Sequence, residues 1–267
     1  MTSPTSGTEP GPRPTSRSNP VIVFLLICIA ILLAVIAIIL VLRPDHSGAA
    51  NTGEPSAAAA TASAQVTVEQ TSAPSQTDAD LLQVMRAEVT RNSDDARAKG
   101  DVDAPVVMVV YSDFACPYCT LFAQEVEPQL EDLVQDGTLR VEWRDLAQIT
   151  ETSPLAAQAG IAAGNQGKFW EFHDVVYAAA DPTDHPEYTE DSLVAFAEQA
   201  GVPDLEQFRA DMTDADTVQA VEDAKQHAYD LNITGTPFFI INDAYVSGYA
   251  SADYMRNTIL EQAAAAQ

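Results

Sequence analysis

The 267-residue sequence predicts an α/β domain with an inserted helical block, preceded by a single transmembrane helix and a disordered stalk. Three observations carry this reading. An unbroken apolar run, VIVFLLICIAILLAVIAIILVL, fills positions 21–42. A valine-rich strand pattern, APVVMVVYSD at 104–113, runs straight into Cys-Pro-Tyr-Cys and a helical pattern. Finally, strand patterns near 138–146 and 236–249 are separated by sequence, about 152–232, in which only helical patterns occur.

Residues 1–20 are rich in Pro, Ser, Thr and Gly and nearly empty of large apolar side chains. They cannot bury enough surface to offset chain entropy and are expected to form a disordered cytoplasmic tail. The run 21–42 has 22 residues, close to the roughly 20 that cross a hydrocarbon core as a helix. A cleaved signal peptide has a shorter apolar centre and a small-residue cleavage site, whereas Arg43 and Pro44 close this run. It reads as an uncleaved anchor. Cys28 inside it follows Ile27 rather than a small residue and reads as an apolar membrane residue. Arg13 and Arg17 precede the span and Arg43 follows it, a bias that places the amino terminus inside and the rest of the chain outside the cytoplasm. Residues 43–77 repeat the composition of the tail and are expected to be a flexible linker.

The domain is expected over 78–267. DADLLQVMRAEVTR, from Asp78, carries Leu81, Leu82, Met85 and Val89 at helical spacing behind acidic capping residues. APVVMVVYSD reads as a buried strand with Pro105 at its start and apolar residues on both faces. TLFAQEVEPQLEDLVQDG reads as a helix kinked or restarted at Pro128 and ended by Gly137, and TLRVEWRDL as a second strand. Four helical segments follow, at 153–180, 189–201, 204–212 and 214–232. TPFFIIN and AYVSGY then form a hairpin about Asn242 and Asp243, and a helix over about Ser251–Ala264 ends the chain.

After Arg43 come 10 Lys and Arg against 38 Asp and Glu, a formal charge of −28. So acidic a domain is repelled by nucleic acid and by anionic lipid headgroups, and solvation accounts for most of the charge.

Cys116 and Cys119 are the pair that carries chemistry. Zinc needs four ligands, usually from two such pairs. The four His, at 46, 173, 185 and 227, are scattered and read as surface or helix-packing residues, so no metal is expected. A structural disulfide across so short a loop removes little unfolded-state entropy. Redox chemistry is the reading left.

Cys116 lies between a strand and a helix, where unpaired backbone N–H groups and the helix dipole favour its thiolate. No Lys or Arg lies between Asp101 and Leu139, so dipole and backbone are expected to dominate. A pKa below the ordinary value of about 8.5 follows, and an easily ionised thiol makes the disulfide an oxidant. Cys119, one turn inward, is expected to be more buried and less nucleophilic. Asp113 reads equally as a proton acceptor for Cys119 or as a loop acid. In KFWEFH, Phe169, Trp170 and Phe172 read as packing residues. In ITGTPFF (233–239), Pro237 reads on its own as the start of an edge strand.

Taken in order, GDVDAPVVMVVYSDFACPYC (100–119), NQGKFWEFHDVVY (165–177) and ITGTPFFIIN (233–242) resemble the DsbA-like exported thiol–disulfide oxidoreductases of the thioredoxin superfamily, over about 78–267. The resemblance implies a thioredoxin-like fold with the helical insertion at about 152–232. It implies that Cys116 and Cys119 are catalytic, with Pro117 and Tyr118 the active-site dipeptide. Pro237 is then a cis-proline that places Thr236 beside the Cys116 sulfur, to bind an extended substrate strand through its backbone. Two positions depart from the family pattern: Pro117-Tyr118 replaces the Pro-His of strongly oxidising members, and Val110 stands where a buried acid six residues before Cys116 would be.

The implied function is disulfide formation in cysteine-containing exported proteins, by a single-pass membrane protein with its domain outside the cytoplasm and no cofactor of its own. A quinone-linked membrane partner would reoxidise it. A disulfide isomerase or reductase on the same fold is the nearest alternative, since only the potential differs. A thioredoxin-like chaperone or binding module for exported polypeptides is the alternative from another class.

Overall fold

The structure, a computed structural model, describes residues 70–266. The tail, the anchor expected at 21–42, Cys28, His46 and most of the linker lie outside them. Among the described residues no helix is long and apolar enough to cross a membrane.

Helix α1 (Ala79–Ala87) is capped by the Asp78 side chain, which accepts from the Leu81 N–H. The central strand β2 (Val106–Ser112) is buried along its whole length. It runs parallel to β3 (Leu139–Asp145), with Val106 opposite Leu139 and Ser112 opposite Asp145. On its other side β4 (Phe238–Ile241) is antiparallel, and β5 (Ala244–Ser247) completes the hairpin. A two-residue strand, β1 (Ala98–Lys99), adds antiparallel to β3 at the far edge, giving the order β1-β3-β2-β4-β5. Two residues carry no periodicity, so β1 left no trace in the sequence reading.

Alternation along β2 sorts its side chains onto two faces. Val106, Met108 and Val110 join Leu139, Val141, Trp143, Phe239 and Ile241 in the larger core. Val107, Val109 and Tyr111 meet Met85 of α1 and Ala228 of α8 (Ala215–Asp230) on the other face. This double burial is why β2 reads as an unbroken apolar run.

The helix after Cys116 is interrupted. Helix α2 (Pro117–Leu121) opens into a π turn (Phe122–Val126) and a 3₁₀ turn (Glu127–Gln129) that accommodates Pro128, before α3 (Glu131–Gln135). Gly137, at φ +82°, ends it. In the inserted block, the segment read as one helix over 153–180 is two, α4 (Ser153–Gly164) and α5 (Phe169–Ala179). Gly167 takes φ +69°, which other residues rarely adopt, and the Lys168 N–H turns back to the Ala163 carbonyl at 2.9 Å. The block therefore holds five helices, with α6 (Glu190–Gln199), α7 (Leu205–Met212) and α8 completing it.

Small residues let α4 approach closely. A Cβ on Gly160 would stand 3.2 Å from the rings of both Phe114 and Phe169. Phe114 stacks on Trp143 at 5.2 Å and meets Tyr177 at 5.2 Å, so one ring joins the loop after β2 to the sheet and to the block. Phe169 and Phe172 are fully buried, which is the packing role read for them.

The domain begins earlier than Asp78. Ala73 is buried, its N–H donates to Thr258 Oγ1 at 2.8 Å on α9 (Ala252–Ala265), and the Gln76 N–H donates to the Asp243 carbonyl at 2.7 Å. Residues 70–77, assigned to the linker by composition, therefore lie on the domain. Their polar backbone is satisfied by partners nearly two hundred positions away, as with Thr258 at a separation of 185, and local composition carries no mark of that.

Candidate active site

At the carboxyl end of β2 the chain leaves the sheet through Asp113, Phe114 and Ala115. The buried Asp113 carboxylate accepts three backbone N–H bonds, from Ala115 at 2.8 Å, Gln148 at 2.7 Å and Ile149 at 2.8 Å. It thereby ties the exit of β2 to the exit of β3. Of the two readings of Asp113, the geometry matches the loop acid. The block holds the same loop from above: Tyr188 Oη donates to the Phe114 carbonyl at 2.8 Å and Tyr177 Oη to the Asp113 carbonyl at 3.1 Å.

Cys116 is the N-cap residue of α2, in extended backbone, and Cys119 follows within the first turn. Both are free thiols and both are 2% exposed. The expected difference lies in depth rather than in exposed surface: burial dominates the surroundings of the Cys119 thiol, whereas at Cys116 hydrogen bonds outweigh it. Cys116 Sγ donates to the Thr236 carbonyl at 3.4 Å, across the Thr236–Pro237 peptide bond, which is cis. Cys119 instead faces inward, onto a small cavity that Ser112, Trp143, His173 and Tyr177 also line. Tyr118, between them, is 61% exposed. The structure thus brings Cys116, Cys119, Thr236 and Pro237 together from opposite ends of the domain.

The Cys116 thiol is lowered to about 6. A hydrogen bond from the Cys119 thiol is the largest cause, opposed by burial and supported by the Thr236 hydroxyl and the backbone N–H groups of Cys119 and Tyr118. Thr236 Oγ1 is buried and has no hydrogen-bond partner among the described residues. The backbone N–H groups expected to favour the thiolate do contribute, and the neighbouring Cys119 thiol adds the largest share. Burial pushes Cys119 up, and its hydrogen bond to Cys116 adds to this.

Replacing Cys119 by Ala removes the largest stabilising contact and is expected to raise the Cys116 titration by about one unit or more, read from thiolate absorbance against pH. An unchanged midpoint would return the effect to the backbone. Since the folded value lies below that of an ordinary thiol, about 8.5, the reduced protein gains stability over the unfolded chain as pH rises from about 6 toward that range. That gain is lost as pH falls through about 6. The oxidised protein has no thiolate and shows no such gain.

Ser112, Gln148, Tyr177 and Tyr188 escaped the sequence reading. Each is an ordinary polar residue whose part in the site comes from a contact across the fold, such as Ser112 Oγ with Tyr177 Oη at 3.0 Å. His173 does pack within a helix as read, but it is 3% exposed and borders the Cys119 cavity. Only its place in the aromatic segment FWEFHDVVY hinted at burial.

Two adjacent thiols, one easily ionised and one held protonated, are built to trade a disulfide with another pair of thiols. In class, this domain is a thiol–disulfide oxidoreductase. The family described as thioredoxin matches residues 92–261. A probable disulfide bond formation protein D of Bacillus cereus is 32% identical over 147 residues, 54% of this chain and 68% of that protein. The Na(+)/H(+) antiporter NhaA 1 of Salinispora arenicola is 35% identical over 148 residues, 54% of this chain, which spans only 21% of the antiporter's length. Among solved structures, oxidised BdbD from Bacillus subtilis superposes with a TM-score of 0.58 at 24% identity, over 63% of this chain and 92% of that one. The chain belongs to the thioredoxin family.

Proposed function

We propose that this protein is a membrane-anchored dithiol oxidase that forms disulfides in exported proteins. Cys116 and Cys119 are its redox pair. A substrate thiolate attacks Cys116, a mixed disulfide forms against the Thr236–Pro237 edge, and the second substrate thiol releases the oxidised substrate and the reduced enzyme. Pro117 opens α2 and Tyr118 presents an exposed ring beside the sulfur. The reading takes residues 21–42 as the anchor, 1–20 as a cytoplasmic tail and 43–69 as a tether, with the domain outside the cytoplasm, where disulfides persist. The name of the Bacillus cereus relative, a probable disulfide bond formation protein, supports the same direction of reaction. Such an enzyme ends each cycle reduced, so a membrane oxidant, in our reading quinone-linked, restores it.

The observation that carries the direction is the lowered Cys116 thiol, at about 6. A stabilised thiolate favours the reduced enzyme and makes the disulfide more oxidising than one between ordinary thiols. The test is the equilibrium reduction potential of the protein against a series of glutathione buffers. The expected value lies above about −250 mV, on the oxidising side of reductase dithiols. A value near about −250 mV or below would instead place it with reductases, and the search would turn to an electron donor.

A further inference from the structure

Whichever way the disulfide moves, a proton must enter or leave Cys119, whose thiolate is buried. Asp113 is occupied by three backbone N–H groups. The Tyr177 hydroxyl is engaged with Ser112 and the Asp113 carbonyl, and burial pushes its ionisation far up. Neither is placed to take the proton.

The cavity that Cys119 borders offers another group. Its volume, about 10 Å³, is room for about one water. Glu127 and His173 line it, as does Trp170, whose buried Nε1 has no partner among the described residues. Glu127 and His173 also line an open surface groove of about 680 Å³. They therefore stand between the buried sulfur and solvent. Glu127 is held in place: Lys99 Nζ lies 2.8 Å from Oε1, and His173 Nε2 lies 3.6 Å from Oε2. His173 is itself anchored through Nδ1 to Asp174 at 2.9 Å. Glu127 comes from the 3₁₀ turn that follows the π turn, so the break in the helix after Cys119 is what sets this carboxylate at the cavity.

We propose that Glu127, oriented by His173 and Lys99, exchanges the proton of Cys119 with solvent through this cavity, by a route that shares no residue with the Thr236–Pro237 edge. The proposal rests on the redox reading of the cysteine pair. When a substrate thiolate attacks Cys116, the Cys116–Cys119 bond breaks and its electron pair goes to Cys119 Sγ. A proton drawn from the groove is relayed over the Glu127 carboxylate to that sulfur, leaving Glu127 as it began. In the reverse step Glu127 takes the proton, Cys119 attacks the Cys116 sulfur of the mixed disulfide, and the substrate leaves as its thiolate. The other charged or titratable groups facing this path are Lys99 on β1, Glu131 on α3 and Asp174 and Tyr177 on α5, with Cys116 and Asp113 at the sulfur end.

Reaction of the reduced full-length protein, carrying Cys28→Ser so that only the pair reacts, with dithiobis-nitrobenzoate separates the steps. The first thionitrobenzoate released reports capture of Cys116, and the second reports attack by Cys119. In Glu127→Gln the first phase is expected within about twofold of the wild type. The second should be slower by roughly a hundredfold where Cys119 is protonated, converging on the wild type as rising pH lets hydroxide take over. Glu127→Asp should recover much of the loss. An unchanged second phase, or one slowed by the same factor at every pH, overturns the proposal. If Glu127→Gln does not fold, His173→Gln is read in the same way, with a smaller, pH-dependent slowing expected. A wild-type protein that shows no first phase would instead overturn the redox reading of the pair.

Discussion

Cys116→Ser is expected to abolish disulfide exchange, and Cys119→Ser to stop it half way, as a stable mixed disulfide with substrate. The two outcomes differ because the thiols differ. Cys116 faces the Thr236 carbonyl, where an incoming chain would lie, and is lowered to about 6, so it is the sulfur that meets substrate. A serine hydroxyl does not ionise in this range and cannot form the bond, so turnover of reduced test substrate should fall to the uncatalysed rate. With Cys119 replaced, Cys116 still captures a thiol-reactive partner, but nothing inside the protein can release it. Non-reducing electrophoresis of cells expressing Cys119→Ser should show adducts that vanish on reduction and are absent from Cys116→Ser. If the double Ser variant kept its function in cells, the protein would be a binding module rather than an enzyme.

Glu142→Ala is expected to destabilise the domain by about 3–5 kcal/mol, the range for removing one partner from a buried ionic cluster. The Glu142 side chain is 0% exposed. It accepts from the N–H groups of Thr90 and Arg91 at 3.0 and 2.8 Å, and from Arg140 and Arg144 at 3.0 and 2.9 Å. This one carboxylate therefore fixes the segment after α1 to β3 and pairs with two guanidinium groups. Burial alone would raise its carboxyl, yet these donors outweigh burial and bring it down to about 2. The native value lies below that of the unfolded chain, so the stabilisation is complete above the ordinary carboxylate range and fades as pH falls toward about 2. Denaturant titrations of wild type and Glu142→Ala should therefore differ most near neutral pH and converge in acid. A constant gap across that range would mean that packing, not charge, is what the substitution removes.

Much of the fold was legible because its signals are local. The unbroken apolar run of β2, the alternation of Leu139, Val141 and Trp143 along β3, and the Asn242–Asp243 turn each lie within one element. Where reading failed, the cause was a contact over distance or a local choice with two outcomes. Gly167 divides α4 from α5 by adopting a backbone that its neighbours permit but do not demand. Residues 70–77 resemble a linker until Thr258 and Asp243 supply partners for their backbone. Glu142 and Arg140 occupy the polar positions of an alternating strand, which would ordinarily face water, yet both are buried.

The same division runs through the candidate site. The Cys-Pro-Tyr-Cys stretch after a buried strand reads from its residues as a redox pair, whereas the Thr-Pro that opens the hairpin reads on its own as a strand start and becomes its companion edge only through the family resemblance. Their chemistry depends on residue type and on position within an element, and both are local properties. Which group lowers the Cys116 thiol, whether Asp113 ties a loop or takes a proton, and which carboxylate lies at the space behind Cys119 are questions that only tertiary structure addresses. Each depends on atoms a few ångströms apart that belong to separate parts of the chain, and in a low-dielectric interior those few ångströms decide the energy of a charge.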